Sequence, residues 1–274
     1  MRVEDRGRGG LEQLDSILEM VAGLRGIDFR DYRRDTLKHR LEARMAAVGI
    51  SDVGEYRRRL LEHAEEIDRL VESLVVPVTE FFRDAWVFRE LSERVLPELL
   101  VGEPPLRAWV VGAASGEEAY SLAMLLEDAG AQYRIIASDL DEPSLRMARA
   151  GLYATDRVGE VPEELKDRYL RPEPGGYLVT DALRRRIQFA RHDLMGSRLA
   201  PAEAILASFD LVLCRNVLLY FDSSLRARAV ERLVSAVRPG GGLVLGSSET
   251  ISSEALANWP GTRLGANIFQ RSGP

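Results

Sequence analysis

The chain has 274 residues, of which 46% are hydrophobic and 29% charged, and its net charge is -6 at pH 7. This composition is typical of a globular protein with one large and one smaller domain, and the negative charge argues against a general nucleic-acid-binding protein. A single cysteine excludes an intramolecular disulfide, and the three histidines are too scattered for a zinc site. No apolar run reaches the ~18 residues that span a bilayer. We therefore expect a cytoplasmic protein without membrane insertion.

Residues 10 to 100 carry apolar side chains at helical spacing and are predicted to form an all-helical N-terminal domain. The second predicted helix, from Asp31 to about Val48, carries Arg33, Arg40 and Arg44 along one arc, next to its apolar arc. A local cationic face in an acidic protein suits an anionic partner, so we interpret these arginines as a docking surface. The alternative is a solvated helix face.

Residues 74 to 88 are dense in aromatic side chains, which usually belong to a core. Thr79 and Arg83 are the polar exceptions. The threonine is explained equally well as a helix cap, whereas an arginine beside packed aromatics more often reaches a site or a partner. The Gly-Glu-Pro-Pro sequence that follows Val101 predicts a linker over residues 101 to 105.

The next apolar run, beginning at Leu106, passes through Gly112 and Gly116 into a helical pattern. This order predicts the first βα turn of a nucleotide-binding sheet, where glycines permit a sharp turn and the close approach of a ligand. The helix opens with Glu117 and Glu118, which would repel a pyrophosphate. A ligand with ribose hydroxyls and positive charge, such as S-adenosylmethionine, fits better; the alternative is that the two acids only complement the helix dipole.

A second apolar strand ends at Asp139, 23 positions after Gly116. Nucleotide-binding sheets have an acidic residue about 20 positions after the glycine loop, where it accepts hydrogen bonds from a ribose. Asp139 and Asp141 also suit the N-cap of the helix predicted near Glu142. We assign the ribose to Asp139.

The remainder of the chain predicts further α/β structure. Residues 152 to 186 are rich in glycine and proline and interrupt the alternating pattern, which indicates a small inserted β subdomain. A buried strand at 209 to 216 ends in polar groups, at the end where open α/β sheets bind ligands. Residues 267 to 271 are predicted to form a final antiparallel edge strand.

Five motifs together resemble one family: V-T-E-F-F-R-D at 78 to 84, G-A-A-S-G-E-E-A-Y-S at 112 to 121, A-S-D-L-D at 137 to 141, C-R-N-V-L-L-Y-F at 214 to 221 and P-G-G-G-L-V-L-G-S-S-E at 239 to 249. In this order they resemble the chemotaxis receptor methyltransferases, the CheR family. The resemblance implies a Rossmann-like, S-adenosylmethionine-binding α/β domain over residues 106 to 274, an N-terminal helical domain and an inserted β subdomain. It also implies methylation of glutamate side chains on the cytoplasmic helices of chemoreceptors.

The resemblance also implies roles for individual residues. Arg83 and Tyr220 would lie near the transferred methyl group. Pro77 and Asp193 stand where the family often has asparagine, and Ala119 replaces a usual proline. The implied cofactor contacts are Thr79, Arg83, Glu118, Asp139, Asp193, Leu194, Cys214 and Arg215, with Asn216 in the same motif and Gly112 added from the glycine loop.

Some family members hold a receptor C-terminal pentapeptide through a glycine-rich loop of the β subdomain. The corresponding turn here, residues 171 to 176, is short and contains two prolines, so we expect no such tether. The expected protein is a monomer whose partner is the chemoreceptor.

A nucleic-acid amino-methyltransferase is disfavoured because the strand ending at Asn216 lacks the Asn/Asp-Pro-Pro-aromatic motif. A non-catalytic regulator that binds S-adenosylmethionine or a nucleotide remains the alternative.

Overall fold

The structure, a computed structural model, describes residues 3–25, 27–30, 32–74, 79–204, 208–247, 249, 259, 261–265 and 267–273, with side chains from residue 13 onward. The chain divides into two compact units. The first contains Met1–Val76 and Tyr220–Leu225, and the second contains Pro77–Leu219 and Arg226–Pro274.

The first unit is helical. Leu37, Leu41 and Met45 recur every four residues and are buried on one face of the second helix, as its apolar spacing predicts. Asp52 caps the third helix by accepting a hydrogen bond of 2.8 Å from the backbone N–H of Glu55. The helices are α1 (Val3–Arg25), α2 (Arg34–Ala47), α3 (Val53–Glu62) and α4 (Ala64–Leu74).

The second unit is built on a seven-stranded sheet in the order β6-β2-β1-β7-β8-β10-β9. The first five strands in this order are parallel, and β10 is antiparallel to both of its neighbours. The predicted α/β fold is therefore confirmed, but the predicted edge strand lies one position inside the edge because β9 pairs outside it. The strands are β1 (Leu106–Val111), β2 (Tyr133–Asp139), β6 (Ile187–Arg191), β7 (Phe209–Cys214), β8 (Val237–Leu245), β9 (Gly261–Arg263) and β10 (Ile268–Arg271).

Residues 79 to 100 pack with this sheet. Phe81, Phe88 and Leu91 are buried in the same apolar core as Val110 and Leu122. The predicted boundary after residue 100 thus differs from the structural division after Val76, and residues 101–105 connect two parts of one unit. Helical spacing identifies the buried face of a helix but not the core that covers it, which explains the difference.

The other α- and π-helices among the described residues either precede β1 or connect the strands that follow it. They are α5 (Ala85–Glu90), a π-helical segment (Leu91–Val95), α6 (Leu96–Leu99), α7 (Glu117–Asp128), α8 (Glu142–Ala150), α9 (Glu163–Tyr169), α10 (Asp181–Arg184) and α11 (Ser223–Ala236). None of the helices formed by the described residues combines the length and the apolar character that crossing a bilayer requires.

A small antiparallel sheet lies within the interval of the predicted inserted subdomain. Its strands are β3 (Leu152–Tyr153), β4 (Leu170–Glu173) and β5 (Gly176–Val179), in the order β3-β5-β4. Glu173 pairs with Gly176, so Pro174 and Gly175 alone form the turn between β4 and β5. Gly175 has a φ of 95°, which suits a proline-glycine turn with a left-handed second residue.

Candidate functional site

The carboxyl ends of four adjacent parallel strands carry most of the predicted cofactor contacts. Asp139 ends β2 and Cys214 ends β7, while Gly112 directly follows β1 and Asp193 follows β6 by two positions. Because neighbouring parallel strands end at the same edge of a sheet, the fold brings these positions together. Leu194 directly follows Asp193, and Arg215 and Asn216 directly follow Cys214.

The glycines of the first loop are required by the protein itself. Gly112 and Gly116 have φ values of 71° and 97°, in the left-handed region that favours glycine. A Cβ on Gly112 would lie 2.2 Å from Cγ2 of Val217, and one on Gly116 would lie 2.8 Å from Cβ of Ala148. The sharp turn was predicted, and at both positions a protein side chain occupies the space that a Cβ would need.

The two acids after β2 have separate roles. Asp141 is the N-cap of α8 and accepts a hydrogen bond of 2.9 Å from the backbone N–H of Ser144. Asp139 is 8% exposed, and its two oxygens accept hydrogen bonds from the backbone N–H groups of Ala114, at 2.8 Å, and Asp141, at 2.9 Å. Burial raises the pKa of Asp139, and these hydrogen bonds oppose the shift. The capping role therefore falls to Asp141, and Asp139 retains lone pairs at the edge of the sheet.

The two glutamates that open α7 also differ. Glu117 has no exposed surface, and its carboxylate contacts Arg157 and the hydroxyl of Ser115. The side chain of Glu118 is 14% exposed and accepts a hydrogen bond of 2.8 Å from Arg215. Burial raises the pKa of Glu118, while the charge of Arg215 opposes the shift. Only Glu118 is therefore accessible to a ligand.

Arg215 is an internal residue whose side chain has no exposed surface. Its Nη2 donates hydrogen bonds of 2.7 Å to the carbonyl oxygen of Arg83 and 2.8 Å to Asp84, and its guanidinium lies 5.6 Å from the ring centre of Phe88. The side chain therefore offers no exposed atom to a cofactor, and the predicted contact at this position would come from the backbone. The guanidinium joins Glu118 to the loop of residues 79 to 84, so its influence on a ligand is indirect.

The loop of residues 79 to 84 is attached to the start of α7. The hydroxyl of Ser121 accepts a hydrogen bond of 2.9 Å from the backbone N–H of Phe82, and the Thr79 carbonyl accepts one of 3.4 Å from Arg157. Thr79 and Arg83 are both half-buried. The fold thus holds this loop close to Glu118, whereas Pro77 lies outside the described residues.

Backbone strain is concentrated around the same edge. Four residues other than glycine have a positive φ in the part of the chain that the structure describes: Phe82, Asp84, Ala114 and Asn216. All four belong to the 79–84 loop, the glycine loop or the segment after β7. Such backbone conformations are unfavourable for residues with a side chain and cluster at functional sites, which supports the assignment of the site to this edge.

Cys214 and Asp193 contribute to the structure of the edge. Cys214 is wholly buried, and burial raises the pKa of its thiol well above the ordinary value, so its predicted cofactor contact is not available from an exposed atom. Asp193 accepts a hydrogen bond of 2.8 Å from the backbone N–H of Met195, which fixes the turn around the buried Leu194.

Glu249 is an important residue that the sequence analysis left unassigned. It is 3% exposed and accepts hydrogen bonds from the backbone N–H groups of Gly246, at 2.6 Å, Val217, at 2.8 Å, and Leu218, at 2.7 Å. Burial raises its pKa, and these hydrogen bonds oppose the shift. One carboxylate thus holds the segment after Asn216 against the end of β8. The available signal was an acid at the end of the motif over residues 239 to 249.

Tyr220 and the predicted docking arginines belong to the first unit. The carbonyl of Tyr220 accepts a hydrogen bond of 2.9 Å from the backbone N–H of Arg33, and the Arg33 side chain is exposed. Arg40 is half-buried and donates to the carbonyl of Ser73 at 3.1 Å.

Arg44 has a different role from the predicted one. Its guanidinium donates two hydrogen bonds, of 2.8 and 2.7 Å, to Glu66, which is 1% exposed and also accepts one of 3.0 Å from Tyr56. The hydrogen bonds from Arg44 lower the pKa of Glu66. Arg44 is therefore the counter-ion of a buried carboxylate rather than a surface docking residue.

Comparison with known proteins identifies the family. Residues 77–262 match the CheR methyltransferase, SAM binding domain, and residues 12–75 match the CheR methyltransferase, all-alpha domain. The chain belongs to the CheR methyltransferase family. As a member of this family, it is an S-adenosylmethionine-dependent methyltransferase, and the suspected resemblance is confirmed.

Three relatives illustrate the similarity. An uncharacterized 104.1 kDa protein of Rhodobacter capsulatus is 35% identical over 88% of this chain, but the match spans only 26% of that longer protein. Chemotaxis protein methyltransferase 1 of Pseudomonas aeruginosa is 33% identical over 83% of this chain and 86% of its own length. The chemotaxis protein methyltransferase of Escherichia coli is 32% identical over 86% of this chain and 83% of its own length.

The residues at the edge of the sheet fit this cofactor. S-adenosylmethionine combines ribose hydroxyls with a positively charged sulfonium and amine. Asp139 offers hydrogen-bond acceptors at the end of β2, and Glu118 offers a carboxylate at the start of α7 that is partly exposed. Both groups suit a cationic nucleoside and would disfavour a polyphosphate.

Proposed function

We propose that this CheR methyltransferase transfers a methyl group to glutamate side chains on the cytoplasmic helices of chemoreceptors, forming glutamyl methyl esters in sensory adaptation. The observation that carries the proposal is the order of both CheR domains in one chain, residues 12–75 and then 77–262. Relatives named chemotaxis protein methyltransferase, matched over more than four fifths of their length, support it.

S-adenosylmethionine supplies a methyl group activated on its sulfonium and leaves as S-adenosylhomocysteine. We assign Asp139 to the ribose and Glu118 to the positively charged part of the cofactor. Arg215 positions Glu118 from within the protein and binds no ligand with its side chain. The other proposed contacts are Thr79, Arg83, Gly112, Asp193, Leu194, Asn216 and the backbone at Cys214 and Arg215.

The chemistry requires placement rather than proton transfer. A glutamate side chain has an ordinary pKa of about 4.3, so it is already an ionised nucleophile at neutral pH. The site must hold this carboxylate against the methyl group and exclude water. We assign this orientation to Arg83 and Tyr220. Cys214 takes no part as a nucleophile because burial keeps its thiol protonated.

The partner is proposed to dock through the first unit. Arg33 is exposed beside α2 and Arg40 lies seven residues farther along the same side. Acidic receptor helices would complement these charges. Arg44 is removed from this surface because Glu66 neutralises it internally. We further propose a cytoplasmic monomer that needs no pentapeptide tether, since only Pro174 and Gly175 form the β4–β5 turn.

The proposal is tested by transferring radiolabelled methyl from S-adenosylmethionine to a receptor cytoplasmic fragment and then measuring methanol released by mild alkali. Carboxyl methyl esters are labile under these conditions and methylated amines are not. Alkali-labile label on the receptor is expected. If protein that binds S-adenosylhomocysteine labels none of several cognate receptors, the alternative of a non-catalytic regulator, which the departures at Pro77 and Asp193 keep open, replaces the proposal.

A further inference from the structure

A cavity lies at the edge of the seven-stranded sheet opposite the proposed cofactor site. Its volume is about 470 Å³, and it is lined by the amino-terminal ends of β1, β2, β6 and β7. The proposed cofactor residues lie at the carboxyl ends of these strands, so the two sites are distinct. The volume is within the range of about 300 to 1,000 Å³ that is usual for small-molecule sites.

The chain connection beside this cavity contains no helix in its described part. In residues 192 to 204, between β6 and β7, the backbone forms only turns and irregular structure. Apolar side chains line the base of the cavity: Ile136 is partly exposed there, and Phe209 contributes the 2% of its surface that is exposed. The cavity therefore offers a planar, apolar ligand a surface on which to lie.

The rim of the cavity is strongly basic. Four arginines line it, against one glutamate, Glu203. Arg107 and Arg134 are register partners on β1 and β2, so their side chains project from the same face of the sheet. The carboxylate nearest to Arg107, Asp210 at 3.5 Å, also binds Arg238 and is therefore shared between two cations.

Arg134 and Arg185 provide the charge that is least compensated. Both side chains are exposed, and Nη1 of Arg134 donates a hydrogen bond of 3.3 Å to the backbone carbonyl of Arg185, a neutral group. An anion bound beside these two positive charges would offset both of them. The planar donors of arginine suit the oxygens of a phosphate particularly well.

We propose that this cavity binds a nucleotide, with its phosphate between Arg134 and Arg185 and its base against Ile136 and Phe209. A phosphate alone would leave the apolar base of the cavity uncovered, and an uncharged aromatic would leave the arginines uncompensated. The inference is independent of the methyl acceptor and adds a second ligand site to the chain.

Isothermal titration calorimetry of the full chain tests the proposal. The probes are the 5′-monophosphates, 5′-triphosphates and 3′,5′-cyclic monophosphates of adenosine and guanosine, with inorganic phosphate for comparison. Saturating S-adenosylhomocysteine is present throughout to fill the first site. At least one nucleotide is expected to bind under these conditions, more tightly than inorganic phosphate. Absence of binding by every nucleotide, or equal affinity for inorganic phosphate, would overturn the proposal.

Charge reversal locates the site. Arg134→Glu and Arg185→Glu each remove a charge-assisted contact and are expected to weaken binding by about tenfold or more. Arg171→Glu, at an exposed position of β4, is the matched control and should bind as the unmodified chain does. Because both cavity arginines are exposed, the variants should keep the melting temperature of the control. Equal binding by all three variants would contradict the assignment.

Discussion

Arg215 and Glu118 form an ion pair in which the cation is fully enclosed and only the anion reaches the surface. The hydrogen bond from Nη1 to Oε2 is 2.8 Å long, and the side chains are 0% and 14% exposed. The same guanidinium binds Asp84 and the carbonyl of Arg83. The pair therefore fixes the position of an accessible carboxylate and of the adjoining loop at the same time.

Glu118→Gln should weaken the binding of S-adenosylhomocysteine by about tenfold or more, because it removes a charged acceptor from the site and from Arg215. Calorimetric titration measures the effect. Glu164→Gln, at an exposed position of α9, serves as the control and should change nothing. Unaltered affinity in the Glu118 variant would show that this carboxylate is not part of the cofactor site.

Glu249→Ala should lower the free energy of unfolding by about 3 kcal/mol, because it leaves three enclosed N–H groups without an acceptor. Glu249→Gln retains one acceptor oxygen, so its free energy of unfolding should lie between those of the unmodified chain and of Glu249→Ala. Urea unfolding monitored by circular dichroism provides the measurement. Glu231→Ala, at an exposed site on α11, is the comparison. If the Glu249 and Glu231 variants lose similar stability, the bracing role is refuted.

Arg44→Ala should destabilise the protein by about 3 kcal/mol, near the lower limit for loss of one partner of a buried pair, since Arg44 keeps 19% exposure. Arg33→Ala should change the stability by no more than about 0.5 kcal/mol. Denaturant unfolding compares the two variants. A small effect at Arg44 would restore it to the proposed docking surface.

The same pair has a defined pH dependence. Hydrogen bonds from Arg44 lower the pKa of Glu66 in the folded state. The ionised carboxylate therefore contributes its full stabilisation when the pH is above the ordinary glutamate pKa of about 4.3, and this stabilisation is lost as the pH falls through the lowered pKa of the folded state. The stability advantage of the unmodified chain over Glu66→Gln should therefore shrink on acidification from neutral pH. If the difference in unfolding free energy between the unmodified chain and Glu66→Gln grew on acidification, the stabilising role of the ionised Glu66 would be refuted.

Reversal of two docking charges, Arg33→Glu with Arg40→Glu, should raise the KM for the receptor severalfold and leave the affinity for S-adenosylhomocysteine unchanged. Added salt should weaken receptor binding by the unmodified chain more than receptor binding by the variant, because salt screens the charges that the variant lacks. Steady-state methylation at two ionic strengths provides both readings. Unchanged receptor kinetics would remove this surface from the proposed function.

Deletion of the receptor C-terminal tail should leave the rate of methylation unchanged. The turn that corresponds to the tether-binding loop consists here of only Pro174 and Gly175, which is why we expect no tether. Initial rates with intact and shortened receptor fragments test this expectation. A large decrease on shortening would establish that the chain does use a tether.

Local patterns predicted much of the site. The glycine loop, the acid at the end of β2 and the polar end of β7 are visible because βα turns and strand ends have characteristic residues. Resemblance to a family added Asp193 and Tyr220, which composition and spacing do not distinguish.

Long-range contacts were not predictable in the same way. The sequence does not reveal that Glu66 selects Arg44 among the arginines near α2, or that Asp84, 131 positions before Arg215, binds it. The positive φ values of Phe82 and Asp84 also escape detection, since residues with side chains adopt them only where the surrounding structure compensates the strain.

Cys214, the single cysteine, is buried in the central strand β7, so the reactivity of its thiol depends on the opening of the sheet. Alkylating reagents require an accessible thiolate, which the folded chain does not offer. Modification of the native protein must therefore wait until the sheet opens. The rate at which one equivalent of reagent is taken up will report the opening of this sheet directly, without any added probe and without interference from a second thiol.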